Sequence, residues 1–243
     1  GKIDLFDTSK FRRSYGGQIK DFQVQAFIPN EMRKYIGRAS GFAIAATKLA
    51  FEDTGISASY CKDKKIGIII GTTMAEANVL DFSVAMFLRQ EWDEITSSLL
   101  LGAFSASIPR NVGSFFRQKG PVNLLIPNAC AAGNYAIGYA YDLIKNDEID
   151  LAIVGGAEAL SRVAFQGFQR LYAMAPQECS PFDKERKGML LGEGAGILIL
   201  ESEDLASARK APVYAEVSGY GLSCDAHHMT QPKREGIMKA MQK

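Results

Sequence analysis

Residues 122–133 read VNLLIPNACAAG and contain the transition on which the fold depends. The segment 122–126 is a short apolar run of strand length. From Cys130 to about Lys145 the apolar residues recur at helical spacing and form a stripe along one side. The sequence therefore predicts a buried strand that leads into a long helix, with Cys130 on the first turn of that helix.

The surroundings of Cys130 suit a nucleophile. The N–H groups in the first turn of a helix have no intrahelical partner, and they lie at the positive end of the helix dipole. Both effects favour the thiolate, which is the reactive form of cysteine. The small residues on either side leave room for another group to approach the sulfur. The alternative is that Cys130 is a buried packing residue, as most single cysteines are.

The rest of the chain alternates strands and helices. Apolar runs typical of strands occur at 65–71, 150–156, 194–200 and 213–220. Helical spacing occurs over 38–53, with a stop signal at Gly55. It also occurs after the 65–71 run, up to about residue 118, with breaks near Ser97 and at Pro109. Two further helical stretches lie at 163–174 and 203–209. This alternation predicts an α/β domain with a largely parallel sheet. Sites in such sheets lie where strands end and helices begin, and Cys130 is at such a point.

Composition narrows the classes of function. The 243 residues are 47% hydrophobic and 23% charged, as in ordinary soluble globular proteins. Because 28 Lys and Arg nearly balance 27 Asp and Glu, we expect no nucleic-acid partner and no membrane partner. No apolar run approaches membrane-helix length, and from the opening residues we expect no signal peptide. The four cysteines contain no CxxC pair, so we expect a cytoplasmic protein without a zinc site or a disulfide framework.

Four motifs together point to a known family. They are ACAAG at 129–133, GGAEA at 155–159, PFDKERKGMLLGEGAG at 181–196 and DAHHMTQP at 225–232. With these motifs the chain resembles the β-ketoacyl synthases, which are carrier-protein condensing enzymes of the thiolase-like superfamily. The third motif, at its distance from Cys130, is the most specific. Asn128, Lys187, Met189 and His227 depart from the residues common in the family, but none of these departures removes a catalytic group.

The resemblance implies a fold and a domain. The family has a thiolase-like layered αβαβα fold made of two similar halves. Residues 1–243 correspond to a single N-terminal ketosynthase domain, which is mainly the first half. The family's opening strand and its C-terminal half have no counterpart in these residues. Two histidines and a lysine that act with the cysteine in the family belong to that second half. That half is on the same longer chain, on a partner chain, or absent.

The resemblance also implies a reaction. The family carries out a decarboxylative Claisen condensation, in which an acyl thioester held on Cys130 reacts with malonyl-carrier protein during fatty-acid or polyketide-type synthesis. The implied partners are acyl- and malonyl-loaded acyl carrier protein and a second ketosynthase chain, in a homodimer or a heterodimer. No cofactor and no metal are expected. Arg33 and Lys34, in a basic cluster with Arg38, match the family's carrier-protein docking residues; the alternative is a solvated charged face.

Two other functions stay open at this point. One is a non-condensing partner subunit that resembles a chain-length factor, although such proteins have lost the nucleophile that Cys130 retains. The other is a different thioester enzyme of the same fold, such as a thiolase or an acyl-CoA-primed starter synthase, which the 181–196 motif disfavours.

The remaining polar motifs have structural interpretations. The glycines around Glu193 precede a strand instead of opening a helix, so they do not form a nucleotide-binding loop. Glu193 is expected to shape a wall near the site. His227 and His228 are adjacent, so their side chains point in opposite directions in an extended chain, and no third metal ligand is close in sequence.

Overall fold

A four-stranded sheet is the centre of the computed structural model, which describes residues 1–33, 36–104, 106–118, 120–228 and 230–243. Within these residues the strands are β1 (Ile66–Thr72), β2 (Val122–Pro127), β3 (Leu151–Glu158) and β4 (Gly194–Glu201). The strand order is β2-β1-β3-β4. β1 is parallel to β2 and β3, and β4 is antiparallel to β3. The prediction of an α/β domain with a largely parallel sheet is confirmed.

The helices of the described residues connect and cover these strands. They are α1 (Asn30–Arg33), α2 (Arg38–Thr54), α3 (Ala58–Cys61), α4 (Ala77–Leu88), α5 (Ser97–Ala103), α6 (Ser107–Phe115), α7 (Ala132–Lys145), α8 (Arg162–Arg170), α9 (Glu203–Ala208) and α10 (Arg234–Met241). Short 3-10 turns occur at Val24–Ala26 and Trp92–Glu94.

The two central strands of the sheet, β1 and β3, are buried on both faces. On one face, Ile68 and Ile70 of β1 and Ile153 of β3 pack with residues of α2 and α6. On the other face, Ile69 of β1 and Val154 of β3 pack with residues of α7. Successive residues of a strand point to opposite faces, so a strand covered on both sides needs the continuous apolar run that β1 has. The result is a helix–sheet–helix sandwich.

The carboxyl ends of three strands meet at one edge of this sheet. Thr72 of β1 lies opposite Pro127 of β2, and Gly71 of β1 lies opposite Gly156 of β3. The loops that follow these parallel strands are therefore neighbours. Cys130 comes three residues after β2 and lies at this edge.

The helix predictions hold with small corrections. The helix predicted over 38–53 is α2, and Gly55 ends it in the left-handed conformation. The helix predicted over 163–174 ends early, at Arg170, and Tyr172 has a left-handed φ of 54°. Pro109 does not break a helix. It is the third residue of α6 and lies in the first turn, where backbone N–H groups have no intrahelical acceptor, so its missing N–H costs no hydrogen bond.

The strand predicted over 213–220 is wrong. No described strand pairs with this segment, and its last part lies against α7 instead. The ring of Tyr220 packs directly on Gly138, and its hydroxyl donates to the Asp142 carboxylate. The Tyr141 hydroxyl donates to the Ser218 carbonyl oxygen at 3.4 Å. The apolar and aromatic side chains that suggested a strand are used here to cover a helix.

Candidate functional site

Cys130 lies in a tight turn between β2 and α7. The Ala132 N–H donates to the Ala129 carbonyl oxygen at 2.9 Å, which places Cys130 and Ala131 at the centre of the turn. The predicted strand–turn–helix arrangement is confirmed, but the placement of Cys130 on the first helical turn is wrong. α7 starts at Ala132, because Ala131 has φ −88° and ψ 5° and has not yet entered the helical conformation.

The exposure of the cysteines separates a packing role from a chemical one. Cys130 is exposed, so it is not a packing residue. Cys61 is buried in the core at 3% exposure, and this burial raises the pKa of its thiol, which makes it a poor nucleophile. Cys179 and Cys224 are also exposed. Cys130 differs from those two in its place at the carboxyl edge of the sheet, directly before a helix.

Backbone donors accompany the Cys130 side chain. In the part of the chain that the structure describes, the N–H groups of Cys130 and Ala131 donate to no protein acceptor. They precede the positive end of the α7 dipole. Unpaired N–H groups beside a thiol can donate to the oxyanion that forms when the thiol attacks a carbonyl carbon.

Asn128 fixes the turn to the neighbouring strand. Its N–H donates to the Thr72 carbonyl oxygen at the end of β1, at 3.2 Å. Its side-chain Oδ1 accepts from the Ala129 N–H at 2.8 Å. The backbone that enters the Cys130 turn is therefore held both by β1 and by its own asparagine.

Glu158 fixes the β1 end of this arrangement. Its carboxylate accepts from the N–H groups of Thr73 at 2.7 Å and Met74 at 3.0 Å and from the Thr72 hydroxyl at 3.3 Å. Burial raises the pKa of Glu158, and the hydrogen bonds act in the opposite direction. Sequence reasoning gave Glu158 no role, although an acidic residue that closes a buried strand was a usable signal.

The carboxylate of Glu76 fixes the far end of the loop between β1 and α4. Glu76 is fully buried and accepts from the Ala39 N–H at 3.2 Å and the Ser40 N–H at 2.7 Å, in the first turn of α2. A carboxylate there satisfies two orphan donors and complements the helix dipole. Burial raises the pKa of Glu76, and the nearby negative charge of Glu158 raises it further. Sequence reasoning missed this residue too.

A close approach of backbones puts α7 on the sheet edge. A Cβ atom on Gly71 would lie 2.2 Å from the carbonyl carbon of Ala132. No side chain fits there, so only glycine at the end of β1 lets the first turn of α7 sit directly on the strand. The position of the Cys130 turn depends on this contact.

Glu193 is part of a buried ion pair. Its side chain is 0% exposed, and both its carboxylate oxygens accept from the Arg38 guanidinium, at 2.5 and 2.7 Å. It also accepts from the Ile19 and Leu160 N–H groups at 2.9 and 3.1 Å. These contacts join the N-terminal segment, α2 and the loop after β3, so Glu193 has a structural role; that it shapes a wall near Cys130 stays a prediction. Arg38 is therefore not part of an exposed basic cluster, and that expectation is corrected.

The predicted carrier-protein residues are only partly described. Arg33 is exposed at the end of α1, and its Nε donates to the Ile28 carbonyl oxygen at 3.0 Å. Lys34 lies outside the described residues.

The histidines lie apart from this arrangement. His227 and His228 are on an exposed loop, where His228 Nδ1 accepts from the Thr230 N–H at 3.1 Å. Among the described residues, no group of three or more His, Cys, Asp or Glu side chains is placed to hold a metal ion. None of the described helices combines the length and the apolar character needed to cross a membrane.

Comparison with protein families gives one match that covers most of the chain. Residues 3–206 match the model of the β-ketoacyl synthase N-terminal domain. The 3-oxoacyl-[acyl-carrier-protein] synthase 2 of Synechocystis sp. is 34% identical over 244 residues, a match that covers 97% of this chain and 58% of that protein. The chain thus spans little more than half the length of this relative.

Solved structures of ketosynthases also match this chain. The ishigamide ketosynthase/chain length factor matches with a TM-score of 0.95 and 36% identity, over 100% of this chain and 60% of the other. A type II polyketide synthase acyl-carrier protein in complex with its ketosynthase, bound to a hexaketide, matches with a TM-score of 0.81 and 27% identity, over 100% and 62%. The predicted thiolase-like αβαβα fold, of which this chain is a part, is confirmed by these ketosynthase neighbours.

Proposed function

This chain belongs to the β-ketoacyl synthase family, and from that premise we propose that it is the Cys130-bearing part of a 3-oxoacyl-carrier-protein synthase, an acyltransferase. The observation that carries the proposal is the Cys130 turn itself. An exposed thiol stands at the carboxyl edge of the sheet, beside unpaired N–H groups and before a helix. Asn128 and Glu158 hold that turn in place.

The first proposed step is acyl transfer to Cys130. The thiolate attacks the carbonyl carbon of an acyl thioester, and the oxyanion that forms accepts from the Cys130 N–H. The bond between that carbon and the carrier's sulfur then breaks, and the carrier leaves as a thiol after taking up a proton. The product is an acyl thioester on Cys130. Loss of one oxyanion donor costs about 100- to 1000-fold in rate in comparable enzymes.

The second proposed step is the decarboxylative condensation. A malonyl thioester loses carbon dioxide, and the electron pair of the broken bond forms a carbanion. The carbanion attacks the carbonyl carbon of the Cys130 thioester, a carbon–carbon bond forms, and the Cys130 thiolate leaves. This step is proposed for the whole protein, since the chain spans 58% of the length of its relative from Synechocystis sp.. Both fatty-acid and polyketide-type synthesis fit the named relatives.

The proposed partner is an acyl carrier protein, in its acyl- and malonyl-loaded forms, docked at Arg33 and Lys34. Support comes from the related ketosynthase that was solved with an acyl-carrier protein and from the exposed position of Arg33. Reversing both charges (Arg33→Glu, Lys34→Glu) should slow acyl transfer at low salt, where surface charges are least screened. Reversal at the exposed Lys239 is the control. Equal transfer rates for all three proteins at low salt would disprove the docking site.

The proposal also covers the domain organisation, the oligomeric state and the cellular location of the protein. Residues 1–243 act as one N-terminal ketosynthase domain around a single described sheet. The domain pairs with a second ketosynthase chain, in a homodimer or a heterodimer, and light scattering after size-exclusion chromatography tests this. β2 is an edge strand of the described sheet, which leaves it available for such pairing. A cytoplasmic location fits the four free cysteines.

A chain-length-factor-like partner subunit is the second candidate. It is favoured by the high structural similarity to the ishigamide ketosynthase/chain length factor. The exposed Cys130 favours the first candidate, because a subunit that only shapes a pocket has no use for a nucleophile at the strand edge.

Intact-mass spectrometry after incubation with acyl-loaded carrier protein tests the proposal. The expected result is one acyl adduct that is absent in Cys130→Ala and present in the control Cys179→Ala. An adduct that persists in Cys130→Ala would show that Cys130 is not the nucleophile. A folded full-length protein without any adduct would favour the partner-subunit function, whereas residues 1–243 alone without an adduct would show that the second half is required.

A further inference from the structure

A small cationic pocket lies between the N-terminal segment and the end of α8. It has a volume of about 90 Å³ and is lined by Arg12, Arg13, Gln169, Tyr172, Met174 and Lys187. Three of the six residues are cations and none is acidic. The proposed condensing function makes no use of this pocket.

The backbone on the N-terminal side of the pocket is rigidly placed. The Gln169 side chain bonds the main chain of Arg13 twice: the Arg13 N–H donates to Oε1 at 3.2 Å, and Nε2 donates to the Arg13 carbonyl oxygen at 2.9 Å. The Gln169 side-chain amide thus bonds both the N–H and the C=O of Arg13, as a residue of a neighbouring strand would. The Arg12 guanidinium carbon lies 5.9 Å from the centre of the Tyr172 ring, within range of a cation–π interaction.

The opposite side of the pocket is fixed as well. Lys187 comes two residues before Met189, whose N–H donates to the Ala173 carbonyl oxygen at 2.9 Å. The Met189 carbonyl oxygen accepts from the Ala175 N–H, also at 2.9 Å. The segment that carries Lys187 is therefore bonded directly to the segment that carries Tyr172 and Met174. The three cations stand on segments that cannot easily move apart.

The charges in the pocket are not compensated by the described protein. Four ion pairs occur among the described residues, and none includes Arg12, Arg13 or Lys187. Like charges that line one pocket repel each other, and an anion between them converts that repulsion into attraction. Guanidinium and ammonium groups are the side chains that bind phosphate most strongly. A volume of about 90 Å³ suits one tetrahedral oxyanion.

We propose that the cationic pocket binds a phosphate group, with Arg12, Arg13 and Lys187 as its ligands. The group comes either from inorganic phosphate or from the phosphopantetheine that carries acyl thioesters. The second source rests on the proposed function, whereas the first does not.

Calorimetric titration of the protein with three probes tests this site. The probes are inorganic phosphate, 4′-phosphopantetheine and, as a matched ligand without phosphate, pantetheine. The expected result is one site for each phosphorylated probe and none for pantetheine. Tighter binding of phosphopantetheine than of phosphate identifies the thioester carrier as the source, and equal binding identifies free phosphate.

Matched variants locate the binding. The double variant Arg13→Gln/Lys187→Gln should bind phosphate about 100-fold more weakly, about tenfold for each lost charge-assisted contact. The double variant Lys62→Gln/Lys239→Gln removes the same charge from exposed positions elsewhere and should bind normally. Thermal unfolding of both variants checks that they are folded.

Two results would overturn the inference. One is equal phosphate affinity in the two double variants, and the other is the absence of saturable binding below about 10 mM phosphate. Acylation of Cys130 in the same samples separates this inference from the proposed function. Acylation without phosphate binding overturns only the pocket, and phosphate binding without acylation overturns only the proposed nucleophile.

Discussion

Truncation of Glu158 should loosen the Cys130 turn without removing any residue of the turn. Glu158→Ala deletes a carboxylate that accepts three hydrogen bonds from residues 72–74. Hydrogen bonds to a charged group contribute about 1.5–3 kcal/mol each. Two effects reduce the loss in the variant. Thr73 is exposed, so water can accept from its N–H in place of Glu158. The variant also no longer has the desolvation cost of the carboxylate. We expect a net loss of about 2–3 kcal/mol in the free energy of unfolding.

Urea unfolding and amide hydrogen exchange measure this effect at two levels. A local loss of about 2 kcal/mol corresponds to about 30-fold faster exchange at the Thr73 and Met74 amides. The Asn128 amide should accelerate with them, because one of its two acceptors is the Thr72 carbonyl oxygen; the other is the Ile126 carbonyl oxygen. Glu148→Ala, at an exposed acidic residue after α7, is the control and should stay within about 0.5 kcal/mol of the unmodified protein.

Two outcomes of these measurements would contradict the role given to Glu158. If Thr73 and Met74 accelerate while Asn128 does not, Glu158 stabilises its own loop but does not position the Cys130 turn. If the unfolding free energy of Glu158→Ala matches that of the control, the three hydrogen bonds contribute nothing net.

Three further predictions concern buried ionisable groups. Glu193→Ala leaves Arg38 without its partner and should lower the unfolding free energy by about 3–5 kcal/mol in urea; a loss below about 1 kcal/mol would contradict a buried ion pair. Burial raises the pKa of Glu76 and Glu158 in the folded state. The stability gained by protonating these two carboxylates is therefore complete below the ordinary glutamate pKa of about 4.3 and is lost as pH rises through the raised values. Glu76→Gln should flatten this fall in a series of thermal melts, and an unchanged slope would contradict it. Cys61, being buried, should react with Ellman's reagent far more slowly than the three exposed cysteines, and equal rates would contradict its burial.

Local sequence predicted the strands that are covered on both faces. β1 and β3 are continuous apolar runs, and their observed bounds differ from the predicted ones by no more than two residues. The same property explains the error at 213–220. An apolar and aromatic segment can cover a helix as well as join a sheet, and only the tertiary arrangement places Tyr220 on Gly138.

The candidate site was predictable only in part, because its supports are distant in sequence. Cys130 was found from the residues on either side of it. Glu158 acts on residues about 85 positions earlier, and Glu193 binds Arg38 across 155 positions. Such pairings leave no periodic pattern in the chain. A glutamate near a glycine-rich turn could be assigned a structural role, but not a partner.

The ion pair between Arg38 and Glu193 also bears on how the chain folds during its synthesis. Ribosomes add about 5–20 residues per second, so the 155 positions between the two residues take about 8–30 s to make. Until Glu193 appears, the guanidinium must stay in water or find a temporary partner, because burying it alone is costly. The Ile19 N–H in the N-terminal segment and the Leu160 N–H in the loop after β3 also lack their acceptor until Glu193 is made. A ribosome that pauses before residue 193 therefore holds a nascent chain in which Arg38, at the start of the first long helix, still lacks its carboxylate partner.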